Sequence, residues 1–440
     1  MKIAFLAMSG VRAYDPELTA LGLTLPGFVE RGRVIAALPS LGLLTLAGLT
    51  PERHEVTYHD VDRVADLAEL PECDLAAIST FSAQASEAYD LADRYREAGI
   101  RTVIGGLHVT ALPGEALGHC DAAVVGEGEP MWSQVLADAE AGRLAPVYRS
   151  DGRGYDLGEG PLPRYDLLDP ERYNRLTVQT QRGCPWQCEF CASSILLTSR
   201  YKQKPVERVT EEITAIKKLW PRPFIELADD NTFANKHHAR RLVSAIGEEG
   251  IRWFTETDVS IADDEELLDL MRDSGCAEVL IGFESPTPQG LERVELKRNW
   301  KRMQFDRYDA AIERIQSRGI AVNACFVLGL DGDGPDVFEG VERFVTKACP
   351  FDVQITVLTP FPGTPLYDRL EREGRLLYPG DWPRCTLFDV NYRPQNMTVE
   401  QLRGGLVDLG RRLYSEESVA DRRAGFKEQW RRGRQRAGGR

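Results

Sequence analysis

The sequence predicts an α/β protein of two parallel-sheet units in series: a doubly wound sheet over residues 1–145, then a curved sheet or partial (βα)6 barrel over 177–372. A small, mainly helical region (373–440) follows. Three observations carry this. Short, near-continuous apolar runs alternate with helix-like segments, as strands buried on both faces do. Six such strand–helix steps follow residue 176, more than precede it. Hydrophobic residues make up 42% of the 440 and charged residues 28%, which supplies several cores and excludes wholesale disorder.

In the first unit the strands read KIAFLAM (2–8), EVTYHDV (55–61), LAAIST (75–80), RTVIGG (101–106) and AAVVGE (122–127). Helical patterns are clearest in SEAYDLADRYREAG (86–99) and MWSQVLADAEAG (131–142), each closed by a glycine. Ligands of open parallel sheets sit beyond the carboxyl ends of the strands. Those ends carry Ser79, Thr80, Gly105, Gly106, Gly126, Glu127 and Gly128, mostly small residues that let a ligand approach the backbone. Residues 146–176, rich in Gly and Pro and without periodicity, read as a linker.

The alternation resumes with LTVQTQRG (176–183), FIELADDN (224–231), IRWFTETD (251–258), EVLIGFES (278–285), AVNACFVLGL (321–330) and DVQITVLTPF (352–361). Between them run VERVTEEITAIKKLW, KHHARRLVSAIGEE, DEELLDLMRDSG, DRYDAAIERIQSRG and DVFEGVERFVTKA. No internal repeat suggests a solenoid.

Charge narrows the function. Lys plus Arg number 54 against 68 Asp plus Glu, a net −14, so gripping a nucleic-acid backbone is not expected. The Arg-rich end RRAGFKEQWRRGRQRAGGR has only Phe426 and Trp430 for stacking and reads as a solvated or frayed terminus. The N-terminal apolar run is too short for a signal segment and no stretch is long enough to span a bilayer, which predicts a cytoplasmic protein.

Of nine cysteines, Cys73, Cys120, Cys276, Cys325, Cys349 and Cys385 are scattered and read as small buried hydrophobes. The other three fall in RGCPWQCEFCASS, as Cys184-x3-Cys188-x2-Cys191. An odd count with one tight cluster points to a metal centre rather than a disulfide framework. Three thiolates on a loop just after a strand suit three irons of a cubane cluster, leaving the fourth iron open. Zinc would need a distant fourth ligand, the nearest later histidine being His237. That reading, and three unrelated structural cysteines, are the alternatives.

This spacing, after the first strand of a six-step (βα) region, resembles the radical S-adenosylmethionine (SAM) superfamily over about 177–372. The resemblance implies a 4Fe–4S cluster whose open iron binds the amino and carboxylate groups of SAM. An electron from a donor such as flavodoxin or ferredoxin then cleaves SAM to a 5′-deoxyadenosyl radical. Phe190 matches the aromatic position beside the adenine. Asp229, Asp230 and Asn231 follow FIELA near the family's second-strand motif, with ADDN in place of Gly-Gly-Glu. Glu256 lies in the next strand, and Glu284 closes LIGFES, which resembles the family's Gly-x-Glu-Ser segment. The implied SAM-binding set is Phe190, Asp229, Glu256 and Glu284, whose carboxylates can accept from ribose hydroxyls or an ammonium. PFPGTPLY (360–367) resembles the segment after the last strand.

The first unit, with IGGLHVTALPGEAL and VVGEGEPMW, resembles the Rossmann-like cobalamin-binding domain of one branch of that superfamily. There Ser79, Thr80, Gly105, Gly106, Gly126, Glu127 and Gly128 would accommodate the cofactor. Neither His59 nor His108 fits the Asp-x-His-x-x-Gly motif that ligates cobalt in mutases, so the resemblance is to the subgroup without a histidine ligand. Together the two units imply a cobalamin-dependent radical SAM C-methyltransferase. The radical abstracts hydrogen from an unactivated carbon of a small-molecule or natural-product precursor, methylcobalamin donates the methyl, and a second SAM remethylates the corrinoid. The alternatives are a non-methylating rearrangement or carbon–carbon bond-forming enzyme, and a noncatalytic corrinoid and iron–sulfur sensor. An RNA methylthiotransferase would need three further cluster cysteines where the first unit has only Cys73 and Cys120.

Overall fold

The computed structural model describes residues 1–10, 13–20, 38–150, 154–197 and 200–438. Strands β1 (Lys2–Met8), β2 (Glu55–Val61), β3 (Leu75–Ser79), β4 (Arg101–Gly105), β5 (Ala122–Val125) and β6 (Val147–Arg149) form one parallel sheet, in the order β2-β1-β3-β4-β5-β6. The period of two in β1 divides its side chains between two cores. Ala4, Leu6 and Met8 pack with the helix Ala85–Glu97, whereas Ile3, Phe5 and Ala7 pack with Leu43, Trp132 and Leu136. Phe5 and Trp132 are fully buried with ring centroids 5.5 Å apart, so Trp132→Ala would cost about 3–5 kcal/mol.

The segment read as a linker is structured at both ends. Its start is β6, paired through Val124↔Tyr148, and the Tyr148 hydroxyl donates to Asp138 at 3.0 Å. Three residues of exposed–buried–exposed pattern make no apolar run that periodicity can find. Further on, Tyr165 is buried and its hydroxyl donates to the Thr177 carbonyl at 2.9 Å.

The second sheet opens with β7 (Leu176–Val178). An antiparallel ribbon of β8 (Gln181–Arg182) and β9 (Lys202–Gln203) follows, then β10 (Phe224–Leu227), β11 (Arg252–Thr257), β12 (Cys276–Glu284), β13 (Ala321–Leu328) and β14 (Asp352–Val357). The order β14-β13-β12-β11-β10-β7, all parallel, is the expected six-strand partial barrel. Two of its helices begin where a side chain satisfies orphan N–H groups. Asn235 accepts from His237 and His238 at the start of Lys236–Glu249, and Asp264 accepts from Leu267 at the start of Glu265–Asp273. Alternation again sorts the faces. Ile225, Leu227, Trp253, Val279, Ile281, Val322, Ala324, Val353 and Ile355 join the helices in one large core. The opposite, concave face therefore carries Glu226, Phe254, Glu256, Glu278, Leu280, Asn323, Cys325 and Gln354.

The C-terminal region ties both units together. The helix Val399–Leu413 starts with a Thr398–Gln401 capping box. Arg403 and Arg411 bind Glu17, at 2.9 and 2.5 Å, and Asp389 accepts from the Tyr14 and Asp15 N–H groups at 2.7 and 2.9 Å. The basic end is not frayed. It forms a helix, Glu416–Gly438, with Arg422 buried and donating to the Leu413 carbonyl at 2.6 Å. Phe426 packs edge-on to Phe351 at 5.2 Å, and Gln429 bonds Gln316 at 2.7 Å. Arg422, Phe426 and Trp430 fall at i, i+4 and i+8, a stripe that the arginines between them hide. Among the described residues no helix is long and apolar enough to cross a membrane.

Candidate functional site

The cysteine loop leaves β8 through Gly183, whose φ of +88° only glycine adopts readily. Its backbone and side chains are pinned on every side. The Gly183 N–H donates to Asp230 at 2.9 Å and Ser193 donates to the other oxygen of that carboxylate. The Glu189 N–H bonds the Val294 carbonyl at 2.9 Å, and its carboxylate takes both arms of Arg369 at 2.6 and 2.9 Å. Trp186 donates to Asp258 at 3.0 Å and stacks on Trp300 at 4.4 Å. So many fixed points specify one loop conformation and present the thiols.

The three thiols are free, Cys188 buried and Cys184 and Cys191 half-buried. Burial pushes all three upward, that of Cys184 to about 11, while the Lys301 ammonium draws Cys184 and Cys188 back down. A bound metal is what would hold them as thiolates. Among the described residues no group of His, Cys, Asp and Glu converges on a single ion. A cubane does not require that, because each thiolate takes its own iron. The donor set therefore fits a 4Fe–4S cluster. Of the scattered cysteines, Cys73, Cys120, Cys276 and Cys385 are buried, and Cys325 and Cys349 half-buried.

The expected SAM residues occupy different environments. Phe190 packs partly buried against the barrel core beside Cys191. Asp229 is buried, and both its oxygens are engaged: by the Thr180 and Gln181 N–H groups at 2.7 and 3.0 Å, by the Thr180 hydroxyl, and by Thr232 at 2.9 Å. Burial raises its carboxyl to about 6 against those bonds. It pins the end of β7 to that of β10, as Asp230 pins the loop. Glu284 has φ +65°, a strained conformation for a non-glycine residue. Its carboxylate meets Lys301 at 2.9 Å, and the same ammonium donates to the Gly282 carbonyl at 2.6 Å. Gly282 leaves room for the pair, since a Cβ there would lie 2.3 Å from Glu284 Oε1. Lys301, in the short helix after β12, carries no motif and was invisible in the sequence. Glu256 reaches into the lumen from β11, its side chain without a hydrogen-bond or ion-pair partner among the described residues. Burial, then the Glu226, Asp230 and Asp229 carboxylates, push it up to about 8 against the pull of Arg175.

The strand ends of the first sheet gather opposite this loop. The Thr80 N–H bonds the Gly105 carbonyl at 3.2 Å and the Gly126 N–H bonds Thr110 Oγ1 at 2.9 Å. Gly106 has φ +117°, and a Cβ on it would lie 2.3 Å from the Thr80 carbonyl oxygen. Ser79, Gly105, Gly106, Gly126 and Gly128 are half-buried, a backbone edge of the kind a cofactor can approach. Beside it the helix Leu107–Ala111 packs on the turn Ser193–Leu197 that leaves the cysteine loop.

Glu127 offers no free carboxylate to that edge. It accepts from Arg182 at 2.7 Å, from Lys202 at 2.6 and 2.8 Å, and from the Tyr155 N–H at 2.8 Å. Arg182 also binds Glu129 at 2.7 Å. These buried charges join the end of β5 to the ribbon that leads into Cys184. Neither candidate histidine is free: His59 bonds Thr57 at 3.0 Å, and His108 is buried between Ser82 and Glu115, each at 3.1 Å. Trp382 of the C-terminal region packs edge-on to His108 at 5.0 Å and donates to Glu115 at 3.0 Å.

Comparison with known proteins gives matches over the same regions. The radical SAM superfamily profile matches residues 178–345, a B12 binding domain matches 33–136, and a domain of unknown function matches 364–439. An uncharacterized methyltransferase of Synechocystis sp. is 29% identical over 397 residues, 88% of this chain and 72% of its own length. Bacteriochlorophyllide d C-12(1)-methyltransferase of Chlorobaculum tepidum is 26% identical over 399 residues, 89% of this chain and 86% of its own. The radical S-adenosylmethionine methyltransferase TsrM of Kitasatospora setae, solved with cobalamin and a [4Fe-4S] cluster bound, shares the fold with a TM-score of 0.65 at 16% identity, over 99% of both chains.

Proposed function

Because the chain joins a B12-binding domain to a radical SAM domain, and so belongs with the cobalamin-dependent radical SAM enzymes, we propose that it methylates an unactivated carbon of a small-molecule substrate. The cluster with SAM supplies the hydrogen-abstracting 5′-deoxyadenosyl radical, and the corrinoid supplies the methyl group. Cys184, Cys188 and Cys191 hold three irons. Phe190 and Glu284, beside the loop, are the SAM contacts we favour, and Lys301 orients Glu284. Ser79, Thr80, Gly105, Gly106, Gly126 and Gly128 form the cobalamin edge, with both candidate histidines held elsewhere. Glu127 aligns that edge with the cluster loop rather than touching the corrinoid. A flavodoxin- or ferredoxin-like donor, a cytoplasmic setting, the absence of a nucleic-acid partner and the division at 145, 176 and 372 belong to the same reading.

The observation that carries the proposal is the opposition of two cofactor-competent edges. The glycine-lined end of the first sheet faces the cysteine loop of the second, and a buried ion network fixes them there. Holding two reactants in register is the protein's main contribution to such a reaction. The test is anaerobic turnover with methyl-labelled SAM. Label in the product, with 5′-deoxyadenosine and S-adenosylhomocysteine formed together, supports methylation; 5′-deoxyadenosine without the other two signals would move the enzyme to rearrangement chemistry. Replacing the three cysteines with Ala should remove the cluster's roughly four irons and four sulfides.

A further inference from the structure

The loop that follows β12 runs alongside the cysteine loop and is held as firmly. Cys188 and Glu295 form an antiparallel bridge, with the Glu189 N–H on the Val294 carbonyl and the Leu296 N–H on the Gln187 carbonyl, both at 2.9 Å. This strip therefore lies one strand spacing, about 5 Å, from the backbone of a cluster cysteine. Glu295 is buried, and its carboxylate accepts from the Lys297, Arg298 and Trp300 N–H groups at 3.0, 2.7 and 3.3 Å. The Asn299 side chain closes the turn, donating to Glu292 at 2.7 Å and accepting from the Arg293 N–H at 3.1 Å. Arg293 and Asn299 hold φ values of +62° and +54°. Such strain persists only where the surroundings over-determine it, and it gathers at functional sites. Trp300 continues the strip and stacks on Trp186, between Cys184 and Cys188.

The solvent face of this rigid strip is cationic in an acidic chain. Residues 292–302 hold five cations and two carboxylates in a protein of net charge −14. Both carboxylates are engaged within the turn, and Lys301 is taken by Glu284. Arg293, Lys297 and Arg298 are exposed and Arg302 half-exposed, and none of these four side chains has an ion-pair or hydrogen-bond partner among the described residues. Leu296 and Met303 lie among them, 47% and 68% exposed, and Met303 is the most exposed large apolar side chain of the described residues.

We infer that residues 293–303 are the docking surface for a small acidic flavoprotein of the flavodoxin type, which rests on the radical SAM reading and adds the place where its reductant binds. Cations left unpaired within the fold are available to a partner's carboxylates, while the net negative charge of the chain turns such a partner away elsewhere. Arg and Met are side chains that interfaces favour, and Leu296 and Met303 suit the apolar dimethylbenzene edge of a flavin. A nucleic acid would be drawn by the same charge, but the Trp300 ring is stacked on Trp186, which takes a face that a base would need. Docked here, the partner meets the strip bridged to Cys188. One electron leaves the anionic, fully reduced flavin, which becomes its neutral radical without losing a proton, and lowers the charge of the oxidised cluster by one.

The experiment uses the full chain reconstituted anaerobically with cluster, cobalamin and SAM, and a purified bacterial flavodoxin as the probe. Binding measured by biolayer interferometry should weaken at least about tenfold in the combined Lys297→Glu, Arg298→Glu and Arg302→Glu variant, because three attractions become repulsions. Wild-type binding should also weaken between about 0.01 and about 0.1 M salt, as the screening length falls from roughly 30 to roughly 10 Å. Lys218→Glu with Arg222→Glu, a reversal at the other end of β10, should leave binding within about twofold, since exposed charges beyond a screening length act weakly. With reduced flavodoxin, formation of 5′-deoxyadenosine by the triple variant should fall in step with its binding, while the rate with dithionite and the iron content stay at wild-type values. Binding that survives the triple reversal, equal weakening by the control reversal, or tighter binding of a ferredoxin or an RNA oligonucleotide to the same strip overturns the assignment. Absence of 5′-deoxyadenosine with either reductant would count against the enzyme reading instead, and the binding measurement decides the surface independently of it.

Discussion

Replacing Glu127 with Ala leaves Arg182 with Glu129 and Gln179, but leaves Lys202 only the Tyr155 carbonyl at 3.1 Å among its observed partners. The side chains of Arg182 and Lys202 are 13% and 15% exposed and that of Glu127 3%. Breaking a buried pair from one side costs about 3–5 kcal/mol, mostly as the penalty on the stranded charge. We expect the lower part of that range, since one of the two cations keeps a carboxylate. Lys202→Met on top of Glu127→Ala removes the stranded ammonium and should recover about half the loss. Urea unfolding of the anaerobic holoprotein, read as a double-mutant cycle, measures both terms. The pH dependence has a definite sign. Burial alone would raise the Glu127 carboxyl, but Lys202, the Tyr155 N–H and Arg182 outweigh it and hold it below its ordinary value. Its stabilising contribution is therefore present above the unfolded carboxylate range and is lost as pH falls through the depressed folded value. The variant should lack that acid-side loss. A Glu127→Ala protein within 0.5 kcal/mol of wild type (about the scatter of surface substitutions), or one that Lys202→Met destabilises further, would refute the network as the joint between the units.

Gly106→Ala should sharply reduce cobalamin retention on gel filtration while the cluster absorbance persists, because the Cβ would meet the Thr80 carbonyl at 2.3 Å with φ at +117°; equal retention would show that this edge does not carry the corrinoid. Glu256→Gln should flatten the stability–pH curve of protein without SAM or substrate. A carboxyl raised to about 8 contributes stability that is complete below the unfolded value near 4.5 and declines as pH climbs toward 8, so melting temperatures of mutant and wild type should diverge across that interval.

The parts of this molecule that local pattern encodes were legible. The strands from KIAFLAM to DVQITVLTPF and the helices between them follow periods of two and 3.6 that burial imposes, and three cysteines on one loop are a local chemical signal. What escaped depends on partners distant in the chain. Glu127, in the GEGE turn, reads as one of the cobalamin contacts until Arg182 and Lys202 fold onto its carboxylate. Asp229 reads as a ligand contact until Thr180 and Thr232 claim its oxygens. Lys301 sits in a polar stretch with nothing to single it out, because its role is set by Glu284 and Gly282. β6 is short enough to vanish into a linker. The last helix was hidden because its packed stripe, from Arg422 through Phe426 to Trp430, begins with a residue that composition assigns to solvent.

The stitching of Tyr14, Asp15 and Glu17 to Asp389, Arg403 and Arg411 bears on how the chain matures on the ribosome. Domains emerging during synthesis usually fold as units from the N-terminal side. Here the sheet of the first unit can assemble early, but Trp382 packs on His108 and Glu115, and the segment around residue 15 is anchored only after some 400 residues have been made. Until then the face of the first unit at His108 and Glu115 is without its Trp382 partner. The same lag leaves the Trp382 side of the first unit open until the C-terminal region has been made and folded back onto it.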